Sequence, residues 1–208
     1  MVVTNIAIIG CGRIAGHHCR AIKSNNEINL VAVCDLDVTK AKKYANDFCS
    51  VAYENYNVML ENHPEIDTVA IITPSGMHYE HSKEILLNYE KNIIVEKPTF
   101  LKTSQFYEID KLANKKSKKI FSVFQNRHNK AVKRVKRAIV DNELGDIRIV
   151  SVRVRWCRPQ RYYDLADWRG TFSHDGGALT NQGIHHLDAM RFLCGELKKI
   201  NAKMSTLG

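Results

Sequence analysis

Ile6-Ala7-Ile8-Ile9-Gly10-Cys11-Gly12-Arg13-Ile14-Ala15 is an apolar run that stops at a glycine-rich turn and opens a helix. Each glycine has a separate task there. Gly10 permits the tight turn, Gly12 lets the backbone approach a pyrophosphate, and small Ala15 lets the helix pack close on the strand, with its first N–H groups aimed at the anion. Gly10, Gly12, Arg13 and Ile14 are therefore the first expected cofactor contacts. The next apolar run, Leu30 to Cys34, ends at Asp35. An acid about twenty residues beyond such a turn is what holding an adenine ribose requires. The Asp35 carboxylate would repel a 2'-phosphate, which favours NAD over NADP.

Further strand-like runs follow at Val69 to Ile72, Ile93 to Val95 and Ile120 to Phe124, alternating with polar helical stretches. That alternation predicts an α/β fold with a doubly wound parallel sheet. In such sheets ligands lie beyond the carboxyl ends of the strands, which here read Gly10, Asp35, Thr73-Pro74, Glu96-Lys97-Pro98 and Gln125-Asn126-Arg127. Thr73, Pro74, Glu96 and Lys97 thus join the expected cofactor rim. His78 joins them because it follows the Thr73-Pro74-Ser75 corner, and with His81 it is expected to face cofactor or solvent. Lys97, held by the fixed φ of Pro98, can project beside a nicotinamide.

The pattern changes after about Phe124. A basic helix from Asn129 to Asp141 precedes a long strand from Asp146 to Cys157, in which Val150, Val152, Val154 and Trp156 alternate with Ser151, Arg153 and Arg155. After a polar and aromatic segment, a helix from about Asn181 to Cys194 leads to a last alternating strand bearing Ile200, Ala202 and Met204. The expected domains are 1–122 for the dinucleotide and 123–208 for substrate and dimerisation. Two long strands make a poor independent sheet and leave an apolar face open, so the second domain is expected to be incomplete or completed by another chain.

In the helix after Gly176-Gly177, helical spacing puts Asn181, His185 and Asp188 on one side, with His186, Ala189, Met190 and Leu193 on an apolar one. His186 reads as a packed core residue. His185 reads as a base, since an imidazole titrates near neutral pH and can take an alcohol's proton as hydride leaves its carbon. Asp188 either orients that ring or pairs with Arg191. Adjacent histidines on a helix point about 100° apart, so no metal site is expected. Arg158, Gln160, Arg161, Tyr162 and Tyr163 offer guanidinium groups that pair bidentately with phosphate and rings that stack on a base, or form a surface loop or subunit contact.

Composition narrows the classes. The chain carries 31 Lys and Arg against 22 Asp and Glu, a formal charge of +9. Its basic clusters at Lys115–Lys119 and Lys133–Arg137 sit in a loop and on a helix interleaved with Val132, Val135 and Ile139, and no nucleic-acid recognition motif accompanies them. A modest positive field also suits an anionic cofactor and substrate. The six cysteines form no CxxC pair, the start lacks a secretory pattern, and no apolar run reaches the twenty or so residues of a bilayer span. A cytoplasmic protein is expected, without nucleic acid or membrane as partner.

GCGRIAGHH, TPSGMHYE, EKP and the Gly176-Gly177-Ala178-Leu179-Thr180-Asn181-Gln182-Gly183-Ile184-His185-His186-Leu187-Asp188 block together resemble the Gfo/Idh/MocA family of NAD(P)-dependent sugar oxidoreductases. The resemblance spans the chain but corresponds to the first two thirds of family members. It implies an N-terminal Rossmann domain followed by an α+β domain with an open, mainly antiparallel sheet. FQNRHNKAV, RWCRPQRYYDLADWRG and NQGIHHLD are similar to the nucleotide-sugar branch, which acts at C3 of UDP-N-acetylglucosamine or its uronate. By resemblance Lys97 is the catalytic lysine, His185 the catalytic histidine, Gln125 a nicotinamide contact, and Trp168-Arg169 a loop over the cofactor. Lys97, Arg158, Gln160, Tyr163, Asn181 and His185 are the residues expected at the substrate. Many members carry aspartate where this chain has Asn181, and an amide cannot exchange a proton as a carboxylate does. The implied reaction is oxidation of the C3 hydroxyl of a UDP-N-acetylhexosamine or its uronate by NAD, in a homo-oligomer (dimer or tetramer) if the second domain is complete. A free sugar or cyclitol dehydrogenase, and a non-catalytic NAD-binding regulator or inactive fragment, are the alternatives.

Overall fold

A computed structural model describes residues 3–203 and 205. Its sheet has six strands, all parallel, in the order β3-β2-β1-β4-β5-β6. They are β1 (Thr4–Ile9), β2 (Ile28–Cys34), β3 (Val51–Tyr53), β4 (Thr68–Ile71), β5 (Asn92–Val95) and β6 (Ile120–Ser122). The helices between them are α1 (Ala15–Lys23), α2 (Val38–Phe48), α3 (Tyr56–Asn62), α4 (His78–Glu84) and α5 (Thr103–Lys115). Successive strand residues point to opposite faces. Ala7, Ile9, Val69, Ile71, Ile93 and Val95 pack against Met59, Leu60, Ile85, Leu86, Ile109 and Ala113 on one face. Ile6, Ile8, Leu30, Val33, Ala70 and Ile72 pack on the other against Cys19, Ile22, Ala41 and Ala45 of α1 and α2. Burial on both faces is why the strands read as unbroken apolar runs.

The sheet contains one strand that periodicity does not reveal. β3 is three residues long, too short for a pattern, and it exists by pairing Ala32, Val33 and Cys34 with Val51, Ala52 and Tyr53. Burial pushes the thiols of Cys11 and Cys34 up to about 12 and that of Cys19 to about 11. These three cysteines are packing atoms that stay protonated.

The later part of the chain holds α6 (Lys130–Val140), α7 (Gln160–Tyr163), α8 (Phe172–Asp175) and α9 (Ile184–Cys194). The basic helix expected from Asn129 is present, with the Asn129 side chain accepting the Ala131 N–H at 2.9 Å as its cap. The two strands expected at 146–157 and around 200 are not formed. No strand is assigned across 146–157, where Val150, Val152, Val154 and Trp156 are about half exposed, and Ile200 is 71% exposed. A strand exists only by hydrogen bonding to a neighbour, and alternation in one segment supplies no neighbour. The antiparallel sheet is accordingly missing among the described residues, and Met204 lies outside them. Two compact units result: 1–123 with 159–181, and 124–158 with 182–208. The segment 159–181, expected in the second domain, packs with the first unit.

Candidate functional site

In the first unit the site grows from the end of β1. Gly10 has φ +99°, and a Cβ there would stand 2.6 Å from the carbonyl oxygen of Ile72. Only glycine lets β1 pass β4 so closely. A Cβ on Gly12, in contrast, would meet nothing within 4 Å, so the turn opens onto free space. No side chain caps α1 and its first turn holds no acidic residue, so no local charge neutralises the positive end of the helix. Arg13 and Ile14 stand exposed at this mouth. The Tyr44 hydroxyl on α2 donates to the Gly12 carbonyl at 3.1 Å, a support for the turn that no local motif marks.

Asp35 is built into the turn. One carboxylate oxygen accepts the Cys11 N–H at 2.7 Å and the other the Asp37 N–H at 2.9 Å. Each oxygen keeps a lone pair for a ribose hydroxyl. The room above Gly12, the uncapped helix and the acid at the end of β2 fit a dinucleotide carrying a 2'-hydroxyl.

The remaining rim residues of this unit form one polar chain. Glu96, at the end of β5, is 9% exposed. One of its oxygens lies 2.7 Å from His18 Nε2 and the other accepts the Lys97 N–H at 3.0 Å. Burial works to raise the Glu96 pKa, yet the hydrogen bond and charge of His18, with Lys97 beside it, hold it below the ordinary carboxylate value. The Lys97 ammonium donates to the Asn181 carbonyl at 2.9 Å and to its side-chain Oδ1 at 3.3 Å. The shorter of these contacts is to main chain. Asparagine in place of aspartate therefore still anchors the lysine.

His78 is not on the surface of the rim. It is 1% exposed, with Nδ1 2.9 Å from the Pro98 carbonyl and Nε2 2.8 Å from the Thr73 carbonyl, so the ring lies between two rim turns and its one N–H as a neutral imidazole can serve either carbonyl. His81 is half-buried, 3.1 Å from Thr73 Oγ1. The expectation that they face cofactor or solvent fails because α4 turns its polar-looking side inward. Burial lowers the pKa of both.

Pro74 and Ser75 lead into a short 3₁₀ turn, Ser75–Met77, on which α8 sits. A Cβ on Gly76 would come 2.5 Å from the Ser173 carbonyl oxygen. Trp168 and Arg169 lie in the same docked segment. The Arg169 guanidinium stacks 4.7 Å from the Trp168 ring and 4.6 Å from Tyr162, whose hydroxyl accepts from it at 2.7 Å. Tyr163 meets Tyr162 edge-on, while Gln160 donates to Asp164 at 2.9 Å.

The second unit carries Gln125, Arg158 and His185. Gln125 is exposed and opens the 3₁₀ turn Gln125–His128. Arg158 stacks 4.2 Å over Trp156. His185 is half-buried in the first turn of α9. Asp188, one helical turn further, takes Arg127 rather than Arg191 as its ion-pair partner. It is 8% exposed and bound by Arg127, whose Nε donates at 2.9 Å while its guanidinium lies between Phe124 and Phe192. Arg191 instead donates to Glu196 at 3.0 Å. The pairing of Arg127, read only as a strand-end residue, with Asp188 escapes sequence reasoning, although a carboxylate on a half-apolar helix is a signal that some cation must meet it. Among the described residues no group of three or more His, Cys, Asp or Glu could hold a metal ion, and no helix is long and apolar enough to cross a membrane.

An all-parallel sheet whose glycine turn and acid fit a dinucleotide defines a nucleotide-binding α/β protein. The chain belongs to the Gfo/Idh/MocA oxidoreductase family: the family's NAD-binding Rossmann fold matches residues 4–124, and its C-terminal domain matches residues 132–208. It is similar to the WlbA dehydrogenase of Chromobacterium violaceum, solved with NADH and UDP-GlcNAcA, at 36% identity and TM-score 0.87 over 94% of this chain and 56% of that one. The WlbA dehydrogenase of Bordetella pertussis, solved with the same two molecules, is 31% identical at TM-score 0.87 over 93% of this chain and 56% of that one. D-glucoside 3-dehydrogenase of Escherichia coli is 29% identical over 95% of this chain and 56% of its own length. The chain spans little more than half the length of these relatives.

Proposed function

We propose that this chain oxidises the C3 hydroxyl of a UDP-N-acetylhexosamine or its uronate to a 3-keto sugar, with NAD as acceptor. The observation that carries the reading is the Lys97 ammonium, anchored by Asn181 on the same strand-end rim as the glycine turn. An ammonium so held is preorganised to bind an alcohol oxygen and to stabilise the negative charge that develops on it as the C–H bond breaks. His185 accepts the hydroxyl proton. Asn181 holds the lysine without exchanging a proton, so no relay runs through it. When bound, NAD takes the hydrogen and electron pair of C3. The 2'-hydroxyl ribose contacts fall to Asp35, and the pyrophosphate to Gly12 and the start of α1. Thr73, Pro74, Gln125, Trp168 and Arg169 complete the cofactor contacts, and Arg158, Gln160 and Tyr163 those to the sugar nucleotide. The likeness to two dehydrogenases solved with UDP-GlcNAcA supports the substrate class.

The test is incubation with NAD and a panel of UDP-sugars, glucosides and inositols. Reduced-nicotinamide absorbance is followed while mass spectrometry looks for loss of two hydrogens. UDP-N-acetylhexosamine or its uronate is expected to react. Turnover of glucosides or inositols alone would move the reading to a free sugar or cyclitol dehydrogenase, and NAD binding without any reduction would make the chain a non-catalytic binder.

A further inference from the structure

Glu96 stands one residue before Lys97, and each of its oxygens has a donor: His18 Nε2 lies against one and the Lys97 N–H against the other. The side chains of His18 and Glu96 are 17% and 11% exposed, so the pair is withdrawn from water. His18 is the fourth residue of α1, the helix that opens at the glycine turn. A contact across 78 residues of sequence thus ties the anion-binding helix to the turn that carries the lysine.

We propose that His18 is a positioning residue for Lys97, acting through the Glu96 carboxylate. The inference rests on the reading of Lys97 as the group that holds the reacting oxygen. A buried carboxylate must find donors for its oxygens, and the penalty for leaving one unpaired is large. With His18 in place, the carboxylate oxygens have an imidazole and the main-chain N–H of Lys97 as donors, and the ammonium donates to Asn181. Without His18, the oxygen that loses its donor competes for the Lys97 ammonium, a cation close enough to act on the Glu96 carboxylate, and draws it from its anchor. An imidazole suits this task because it donates one directional hydrogen bond without setting a second permanent cation beside the ammonium, as lysine or arginine would. Lys97 and His78, the latter buried on the Pro98 carbonyl, are further titratable groups that act on or respond to Glu96.

The test compares His18→Leu, His18→Gln and Glu96→Gln in the whole chain. In the cofactor-free protein, hydrogen exchange at the Lys97 amide and pH-dependent reductive methylation of its amine, read by mass spectrometry, report the turn and the ammonium directly. His18→Leu is expected to speed Lys97 amide exchange about tenfold, the effect of weakening one hydrogen bond to a charged group, and to shift the pH dependence of Lys97 methylation. Turnover falls by up to about 100-fold with the substrate KM and NAD affinity within about twofold. His18→Gln, which keeps a donor, restores both; Glu96→Gln, with its charge removed, repeats the methylation shift of His18→Leu and serves if the leucine variant does not fold. Leucine and glutamine variants that behave alike, or unchanged Lys97 exchange and methylation in both His18→Leu and Glu96→Gln, overturn the proposal. Unchanged turnover in Lys97→Met overturns only the reading of Lys97, because the exchange and methylation measurements still decide whether His18 positions it.

Discussion

Lys97 and His185 carry the proposed chemistry through different means, and their substitutions separate accordingly. Lys97→Met removes the charge that holds the reacting oxygen, and His185→Asn removes the proton acceptor. Each is expected to lower turnover by about 10² to 10⁴ while NAD binding, followed by fluorescence or calorimetry, is retained. Full turnover in both variants would dismiss them from the mechanism. Both residues were proposed on local marks: Lys97 on a strand exit followed by proline, His185 on the helical spacing that sets it with Asn181 and Asp188. The partners of Lys97 were not legible. Asn181 lies 84 residues away, and its main-chain oxygen, the shorter of its two contacts, leaves no trace in residue identity.

At the scale of elements, two buried polar contacts set the geometry. Arg127 joins the 3₁₀ turn bearing Gln125 to α9, the helix of His185, by its bond to Asp188. Arg127→Ala would leave a buried carboxylate short of its donor, at a cost of about 1–3 kcal/mol, read as a lower denaturation midpoint and faster exchange along α9. Asp188→Asn should cost less, because an amide leaves no buried charge. α4 supplies the second case. Burial lowers the pKa of His78 and His81 from the ordinary 6.5, so the folded chain resists taking up protons that the unfolded chain binds. Their stabilising contribution is complete above pH 6.5 and is lost as pH falls toward the folded values. The denaturation midpoint is expected to decline on acidification below 6.5, with a shallower decline in His78→Phe; an equal slope in that variant would show that His78 does not contribute. The inward turn of α4 could not be read from His78-Tyr79-Glu80-His81, since polar residues are buried only when carbonyls and hydroxyls elsewhere in the fold await them.

Across the whole molecule the glycine turn and Asp35, proposed to hold the pyrophosphate and ribose, lie in the first unit, so ligand linkage should stabilise that unit. NAD at about 100 times its Kd is expected to add about 2.7 kcal/mol to its unfolding free energy, with greatest exchange protection at residues 10–18. NADP should give a smaller shift, because Asp35 faces the position of its extra phosphate; equal shifts would remove that role from Asp35. The chain alone builds the six-stranded sheet, while its alternating segment at 146–157 stays without a ladder.

The sequence by itself determined the glycine turn, the acid after the second strand, the doubly wound order of apolar runs and the lysine at a strand exit. These are local features, set by φ freedom, period and burial within a few residues. Only the tertiary structure decided that Asp35 holds the Cys11 N–H, that His18 meets Glu96, that Asp188 belongs to Arg127, and that 146–157 forms no strand. Hydrogen bonds and strand ladders are relations between distant segments, and a pattern within one segment cannot name its partner.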